Sequence, residues 1–486
     1  MKKKFVSNLI LVLLLNVIIK PFYILGIDAE VLKITEQSDP GSYGTYFSLL
    51  SLSFIFNIFL DMGVNTFNTR NIAQNSQLIQ KHFSGIFSIK IILGIIYLAV
   101  IMCFGLIFSY NLNELKWLLI IGFNQILIAF ILFFRSNLSA LLMFKEDSIL
   151  SVTDRALLIF FCGYFLWGEI TNKYISIDFF ILSQTIAYFI TASIGFILVF
   201  KKTGIFSLKW DLAFTITIIK KSFPYALLIF LMSVYYYSDV VMIERIKGNI
   251  EAAIYAHGYR FFMAFNMIGV LFAGFLLPIF SKLIKNKKEI RDITWLSFKL
   301  IFILSLIIGV TIWFNKKDII MWRYEITGDI LTQSSNTFGW LIISFIAVSF
   351  NYIFGTLLTA YGNLKPMNIL AFISVIINIS INFILIPSQG AVGAAFASMI
   401  TQFFTLIIQI YLCHKYFPSK INLSKYLNLI FFVAVFITSI ILIENNIFYI
   451  WQIKIMSYLL IGFTLGFICK IIHLKDFITL LKISKK

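Results

Sequence analysis

Charge is scarce in this chain. Charged side chains make up 13% of its 486 residues, about half of the roughly 25% usual in a soluble domain. Acid is scarcer still, with 22 Asp and Glu against 40 Lys and Arg. With 60% of the residues hydrophobic, no segment has the composition of a water-facing domain, which excludes an ordinary soluble protein. There are four cysteines, Cys103, Cys162, Cys413 and Cys469. They lie in or beside apolar runs, form no CxxC pair and have no metal-ligand spacing, so neither a zinc ribbon nor a redox motif is expected. No Ser/His/Asp or Cys/His arrangement, glycine-rich phosphate loop or HExxH pattern is present, and no metal or cofactor is expected.

What fills the chain instead is apolar sequence, with a mean hydropathy of +0.93. Runs of about twenty residues, enough to cross some 30 Å of hydrocarbon at 1.5 Å per residue, recur from end to end. An isolated strand cannot satisfy its backbone in lipid, so the runs predict helices. They fall near residues 6–27, 44–66, 83–110, 116–143, 149–168 and 177–200. After a basic interruption they resume near 222–246, 254–281, 294–315, 338–361, 366–387 and 391–414, with a last pair near 425–444 and 449–472. Met1 to Ile19 has the basic start and apolar body of a signal peptide, but Lys20-Pro21 stands where a small-residue cleavage site is needed. That segment is therefore expected to be the first membrane helix. The fold class predicted is an all-α polytopic membrane protein of about 14 transmembrane helices.

The loops support this count through their charge. On the assignment above, one set of loops carries about 26 Lys and Arg and the other about 9. By the positive-inside rule both termini face the cytoplasm. The net charge of +18 then serves topology and lipid head groups, and no nucleic-acid partner is expected. Every outer loop is about 25 residues or shorter, and the first is acidic, with Asp28, Glu30, Glu36 and Asp39.

Weak internal repetition suggests two copies of a six-helix bundle. SYGTYFSLLS from Ser42 resembles AAIYAHGYRFF from Ala252, and the stretch from Leu138 resembles that from Gly355. The offset is about 210 to 216 residues. Because six is even, the copies share orientation and are related by a pseudo-two-fold axis along the membrane normal, with a cleft between them as the expected substrate path. The organisation predicted is a bundle over 1–200, a basic interfacial linker over 201–221, a second bundle over 222–416, and a helix pair with a basic tail over 417–486. Five lysines place the linker on the cytoplasmic side.

Particular stretches carry a family likeness. Ser238 to Leu283, Ile377 to Gln402 with its Asn-rich helix and Ile-Pro exit, LGIDAEV from Leu25, and LDMGVNTFNTRNIA from Leu60 to Ala73 resemble bacterial polysaccharide flippases. These are the lipid-linked oligosaccharide or O-antigen flippase family of the multidrug, oligosaccharidyl-lipid and polysaccharide exporter superfamily. The resemblance spans essentially the whole chain. It implies a transporter, not an enzyme, in the bacterial cytoplasmic membrane. Its cargo would be an undecaprenyl-diphosphate-linked oligosaccharide, moved from inner to outer leaflet by alternating access. Partners implied are membrane lipids, a polysaccharide polymerase and glycosyltransferases. Members of the family often carry an arginine just before the Leu-Gly of the first helix. Here Tyr23 opens Tyr23-Ile24-Leu25-Gly26, and Lys20 lies close to the same helix face.

Charges inside membrane helices are costly, about 2.5 to 3.5 kcal/mol each on insertion scales, so each is a candidate for function. Lys20, Arg135 and Arg260 are the candidate diphosphate contacts, since a guanidinium fork matches phosphate oxygens. Structural pairing is the competing role: Arg260 with Glu244 or Glu251, Arg135 with Asp154, and Lys20 snorkelling to a helix end. Asp239 and Tyr235 are further cleft candidates, Tyr235 as a stacking surface for sugar. Asp61, Asp239 and His257 are candidates for coupling to a proton or sodium gradient. Asn378 and Asn382, at i and i+4, are expected to be hydrogen-bonding glue.

Two other readings remain open on sequence. A cation-coupled multidrug exporter of the same fold should favour acid in its cleft, whereas here cations dominate at depth. A membrane polysaccharide polymerase or glycosyltransferase would rest on Asp28 and Glu30 as a D-x-E metal pattern.

Overall fold

The computed structural model describes residues 15–16, 18–65, 68–69, 72, 77–168, 175–203, 212–418, 423–446, 450–471 and 473. Helix is the only extended regular structure among them, as lipid requires of a chain that must pair its own backbone. Helix α1 is Ala29–Ser38 and α2 Ser42–Ile55, followed by α3 Leu78–Ile107, α4 Leu112–Ala140, α5 Phe144–Trp167 and α6 Ile177–Thr203. Then come α7 Leu212–Lys247, α8 Asn249–Lys285, α9 Arg291–Tyr324, α10 Gly328–Tyr361, α11 Lys365–Tyr416, α12 Leu423–Asn446 and α13 Trp451–Ile468. Eleven of these, α3 to α13, are long and apolar enough to cross a membrane. The chain is thus an all-helical, multi-pass membrane protein.

The breaks between helices follow from a few residues. Gly41, at φ +90°, precedes α2, and Gly248, at φ +96°, separates α7 from α8. Asn111 caps α4, accepting from the Glu114 N–H at 2.9 Å, while Glu114 accepts from the Asn111 N–H at 2.8 Å. Helix α11 is two helices joined at Gly390, whose φ of 53° and ψ of −130° are not helical. The two segments read from hydropathy near 366–387 and 391–414 are therefore distinct, but without a loop between them.

The first segment departs from expectation. Helix continues through Pro21, a π-helical turn occupies Tyr23–Asp28, and α1 follows directly. Proline removes one backbone donor, and the wider π turn takes up the shift in hydrogen bonding. Asp28, Glu30 and Glu36, expected in an outer loop, are thereby helical. Of the 201–221 linker, residues 204–211 lie outside the described residues.

The chain packs as two compact units, one of residues 1–264 and 371–394, the other of 265–370 and 395–486. In the second, Leu296, Leu300, Ile303 and Ile307 of α9 form a core with Phe432, Phe436 and Ile440 of α12 and Tyr458 of α13. The first unit is different in kind. Among the described residues, every buried Asp, Glu, Lys, Arg and His side chain belongs to it: Asp28, Lys90, Asp239, Glu244, His257 and Arg260. Buried polar groups in the second unit are Ser, Thr, Asn and Gln.

Candidate functional site

The first unit gathers its charges in three places. In the first, α8 carries Arg260, only 2% exposed. Its Nη1 lies 3.1 Å from Asp28 Oδ2, and the Tyr43 hydroxyl donates to Asp28 Oδ1 at 2.6 Å. The guanidinium sits 4.6 Å from the Phe47 ring centroid and 5.2 Å from that of Tyr43, which offers the cation two aromatic faces. The structure corrects the expected pairing of Arg260 with Glu244 or Glu251. Glu244 is engaged by Arg245 and by the hydroxyls of Ser48 and Tyr110. Glu251 accepts from the Ala391 N–H at 2.9 Å. Both neighbours in sequence are spent at helix ends, and the carboxylate that reaches Arg260 comes from the π-helical turn.

The second place holds three partly buried cations. Arg135 Nε is 2.8 Å from Asp147 Oδ1, not paired with Asp154 as expected. Asp154 lies instead 3.6 Å from Arg155 Nε. Arg155 also donates through Nη1 to the Tyr188 hydroxyl at 2.8 Å and stands 4.7 Å from the Tyr23 ring centroid. Lys20 lies within electrostatic reach of Arg135, Arg155 and Asp154. By its sequence surroundings Arg155 is a loop charge; in the structure it is part of α5 and packs on aromatic rings. The polar run KEDSILSVTDR conceals it, because charge density there reads as a helix end. Tyr23, which replaces the arginine frequent in the resembled family, is the ring Arg155 covers.

The third place is built on Asp239 of α7, which is fully buried. Its Oδ1 accepts from Asn382 Nδ2 at 2.6 Å and its Oδ2 from the Tyr255 hydroxyl at 3.1 Å. Asn382 also donates to Asn378 Oδ1 at 3.2 Å, to which the Ser238 hydroxyl is bonded at 3.3 Å. The two asparagines do join helices, as their spacing suggests, and they do so around a carboxylate. Tyr235 is buried, with its ring 4.6 Å from that of Tyr236, while Tyr237 stacks on Phe54 at 4.9 Å. His257 is buried in α8.

Asp61 stands apart from these groups. Its Oδ1 is 2.6 Å from Nζ of Lys90, which also donates to the Leu60 carbonyl at 3.0 Å. Lys90 is absent from the candidates named on sequence, although a lysine inside SGIFSIKIILGIIYLAV is itself a sufficient signal. As for the D-x-E pattern, Asp28 faces Arg260 and Tyr43 whereas Glu30 pairs with Lys33 at 3.9 Å, so the two carboxylates serve different partners.

Comparison with known proteins identifies the family and the fold. The polysaccharide biosynthesis protein family matches residues 39–284, and the MatE family matches 224–384. No curated protein matches the chain in sequence. A structure of the lipid II flippase MurJ in an inward closed conformation is similar at a TM-score of 0.69 and 17% identity, over 94% of this chain and 97% of that one. An inward-facing multidrug resistance MATE family transporter of the MOP superfamily is similar at 0.62 and 12%, over 81% and 94%. A MOP superfamily transporter from Pyrococcus furiosus follows at 0.58 and 11%, over 83% and 95%. At these identities the likeness shows a shared fold.

Proposed function

This chain belongs to the polysaccharide biosynthesis protein family, and from that premise we propose that it flips an undecaprenyl-diphosphate-linked oligosaccharide from the inner to the outer leaflet for surface polysaccharide assembly, O-antigen or capsule. One observation carries the reading: in the first unit Lys20, Arg135 and Arg155 gather around two carboxylates, Asp147 and Asp154. Three cations against two carboxylates leave net positive charge in apolar surroundings, where a diphosphate is the complementary charge. Arg260 supplies a further guanidinium whose partner, Asp28, a phosphate would compete with. Alternating access carries the bound head group across while the lipid tail stays in the bilayer. The site lies in a bacterial cytoplasmic membrane with both termini inside, and a polymerase and glycosyltransferases act before and after it.

Coupling fits Asp239 better than Asp61 or His257. Asp61 is held by Lys90, whereas Asp239 is surrounded by hydroxyl and carboxamide groups that can rearrange around a proton or a sodium ion. The test is translocation of a fluorescent lipid-linked oligosaccharide in proteoliposomes. The triple variant K20A/R135A/R155A should lose at least tenfold in rate, and adding R260A should lower it further; an undiminished rate would sink the site assignment. Gradient-driven efflux of cationic drugs without head-group translocation would favour an exporter instead.

A further inference from the structure

The second apolar stretch, expected as one helix over 44–66, is broken within its length. After α2 ends at Ile55, a 3-10 turn occupies Asn57–Leu60. Met62 and Gly63 then take φ of 42° and 83°. Helix resumes at Val64 and holds at the described residues 65, 68, 69 and 72. A left-handed backbone is ordinary for glycine but costly for methionine, so it persists only where the surroundings hold it. Backbone groups released from a helical ladder inside lipid must also find other partners.

Neighbouring side chains supply them. From α3, the Tyr97 hydroxyl donates to the Ser53 carbonyl at 3.0 Å and Lys90 Nζ donates to the Leu60 carbonyl at 3.0 Å. From α4, Gln125 Oε1 accepts from Asn57 Nδ2 at 3.1 Å. Asp61 caps the resumed helix: its carbonyl accepts from the Val64 N–H at 2.8 Å and its Oδ1 from the Asn65 N–H at 3.2 Å. Lys90 Nζ lies 2.6 Å from that same Oδ1. One ammonium therefore holds the last carbonyl of the turn and the cap of the helix that follows it. It does so in the apolar span that begins at Phe83, about 10 Å from that end at 1.5 Å per residue.

The two halves rest on different helices. Helix α2 lies on α7, where the Ser48 hydroxyl donates to Glu244 Oε2 at 3.2 Å and Phe54 stacks on Tyr237 at 4.9 Å. The resumed helix lies on α4, where Asn68 Nδ2 donates to Ser136 Oγ at 3.2 Å and to Asn137 Oδ1 at 3.0 Å. We propose that residues 56–63 form a hinge in the second span and that Lys90 is the pin that holds its bend, so that α2 can follow α7 while the resumed helix stays on α4. A hinge needs only a few residues that absorb a change in φ and ψ, and Met62 and Gly63 already lie outside the helical region. The hinge rests on this geometry and is independent of the cargo.

The experiment follows hydrogen–deuterium exchange of the full chain in nanodiscs, for the wild type, K90M/D61N and M62A/G63A. K90M/D61N removes the pin without leaving an unpaired charge. Exchange over residues 56–65 should rise by about tenfold while α3 and the start of α2 stay near the wild type. M62A/G63A favours helix across the break, so exchange there should fall severalfold. No local rise in K90M/D61N, a rise spread evenly through α3 and α4, or faster exchange over 56–65 in M62A/G63A overturns the proposal. Should M62A/G63A not fold, K90M/D61N decides alone. Translocation of the lipid-linked oligosaccharide is measured on the same proteins. M62A/G63A should slow it by about tenfold with substrate binding retained, and an unchanged rate overturns the hinge. A wild type that does not translocate the lipid retires the flippase reading and leaves the hinge to the exchange result.

Discussion

Lys90 shows what a single buried charge demands of this protein. Its side chain is 1% exposed and its ammonium is satisfied by one carboxylate and one backbone carbonyl. Lys90→Met leaves the buried Leu60 carbonyl without its side-chain donor and the Asp61 carboxylate, 33% exposed, without its counter-charge, so we expect a loss of about 1 to 2 kcal/mol, read as a lower unfolding midpoint in detergent. Adding Asp61→Asn should return most of that loss, because the uncompensated carboxylate goes with it. The lysine is legible in the sequence as a charge inside an apolar run. Its partner is not, since Asp61 lies before the helix that carries Lys90 and beyond any i, i+4 relation. The same holds for Arg260, for which sequence proximity nominated Glu244 and Glu251 and tertiary packing supplied Asp28.

Elements meet through glycines and carboxylates at their ends. Gly44 of α2 lies against the Asn249 carbonyl of α8, where a Cβ has no room. Gly44→Ala should force the two helices apart and cost about 1 to 3 kcal/mol, with faster hydrogen exchange confined to the start of both. At the break in α11, Glu251 of α8 accepts from the Ala391 N–H and fills the space beside Gly390. Glu251→Gln keeps the shape but not the charge, and should lower stability by about 1 kcal/mol. Gly390→Ala should cost more, since it adds both left-handed strain and a collision with Glu251. That a break falls near 390 was readable from Pro387 and the glycine after it. That a carboxylate from another helix closes it was not.

For the whole molecule, buried charge among the described residues is confined to one of the two units, the one that holds the proposed site. In proteoliposomes, Asp239→Asn should abolish the response of translocation to an imposed proton or sodium gradient while lipid-linked substrate still binds. A retained response would move coupling elsewhere. Topology gives a second check. A cysteine at Asn113 should react with an impermeant thiol reagent from outside the cell and one at Lys287 only from inside, as the loop charges require.

The sequence by itself determined that the chain spans a membrane many times, that it does so as helices, and where most of them begin and end. Those properties are local, because each backbone segment in lipid must satisfy itself and each charge excluded from lipid marks an edge. It also pointed to the family, and to Lys20, Arg135, Asp239 and Arg260 as the charges worth following. Only the tertiary structure decided what those charges do with one another. It placed Asp28 on Arg260, Asp147 on Arg135, two asparagines on Asp239, and Arg155 and Lys90 within the protein. A buried charge is stabilised by whichever opposite group packing brings within about 4 Å, and packing between distant segments is not written in any one stretch of them.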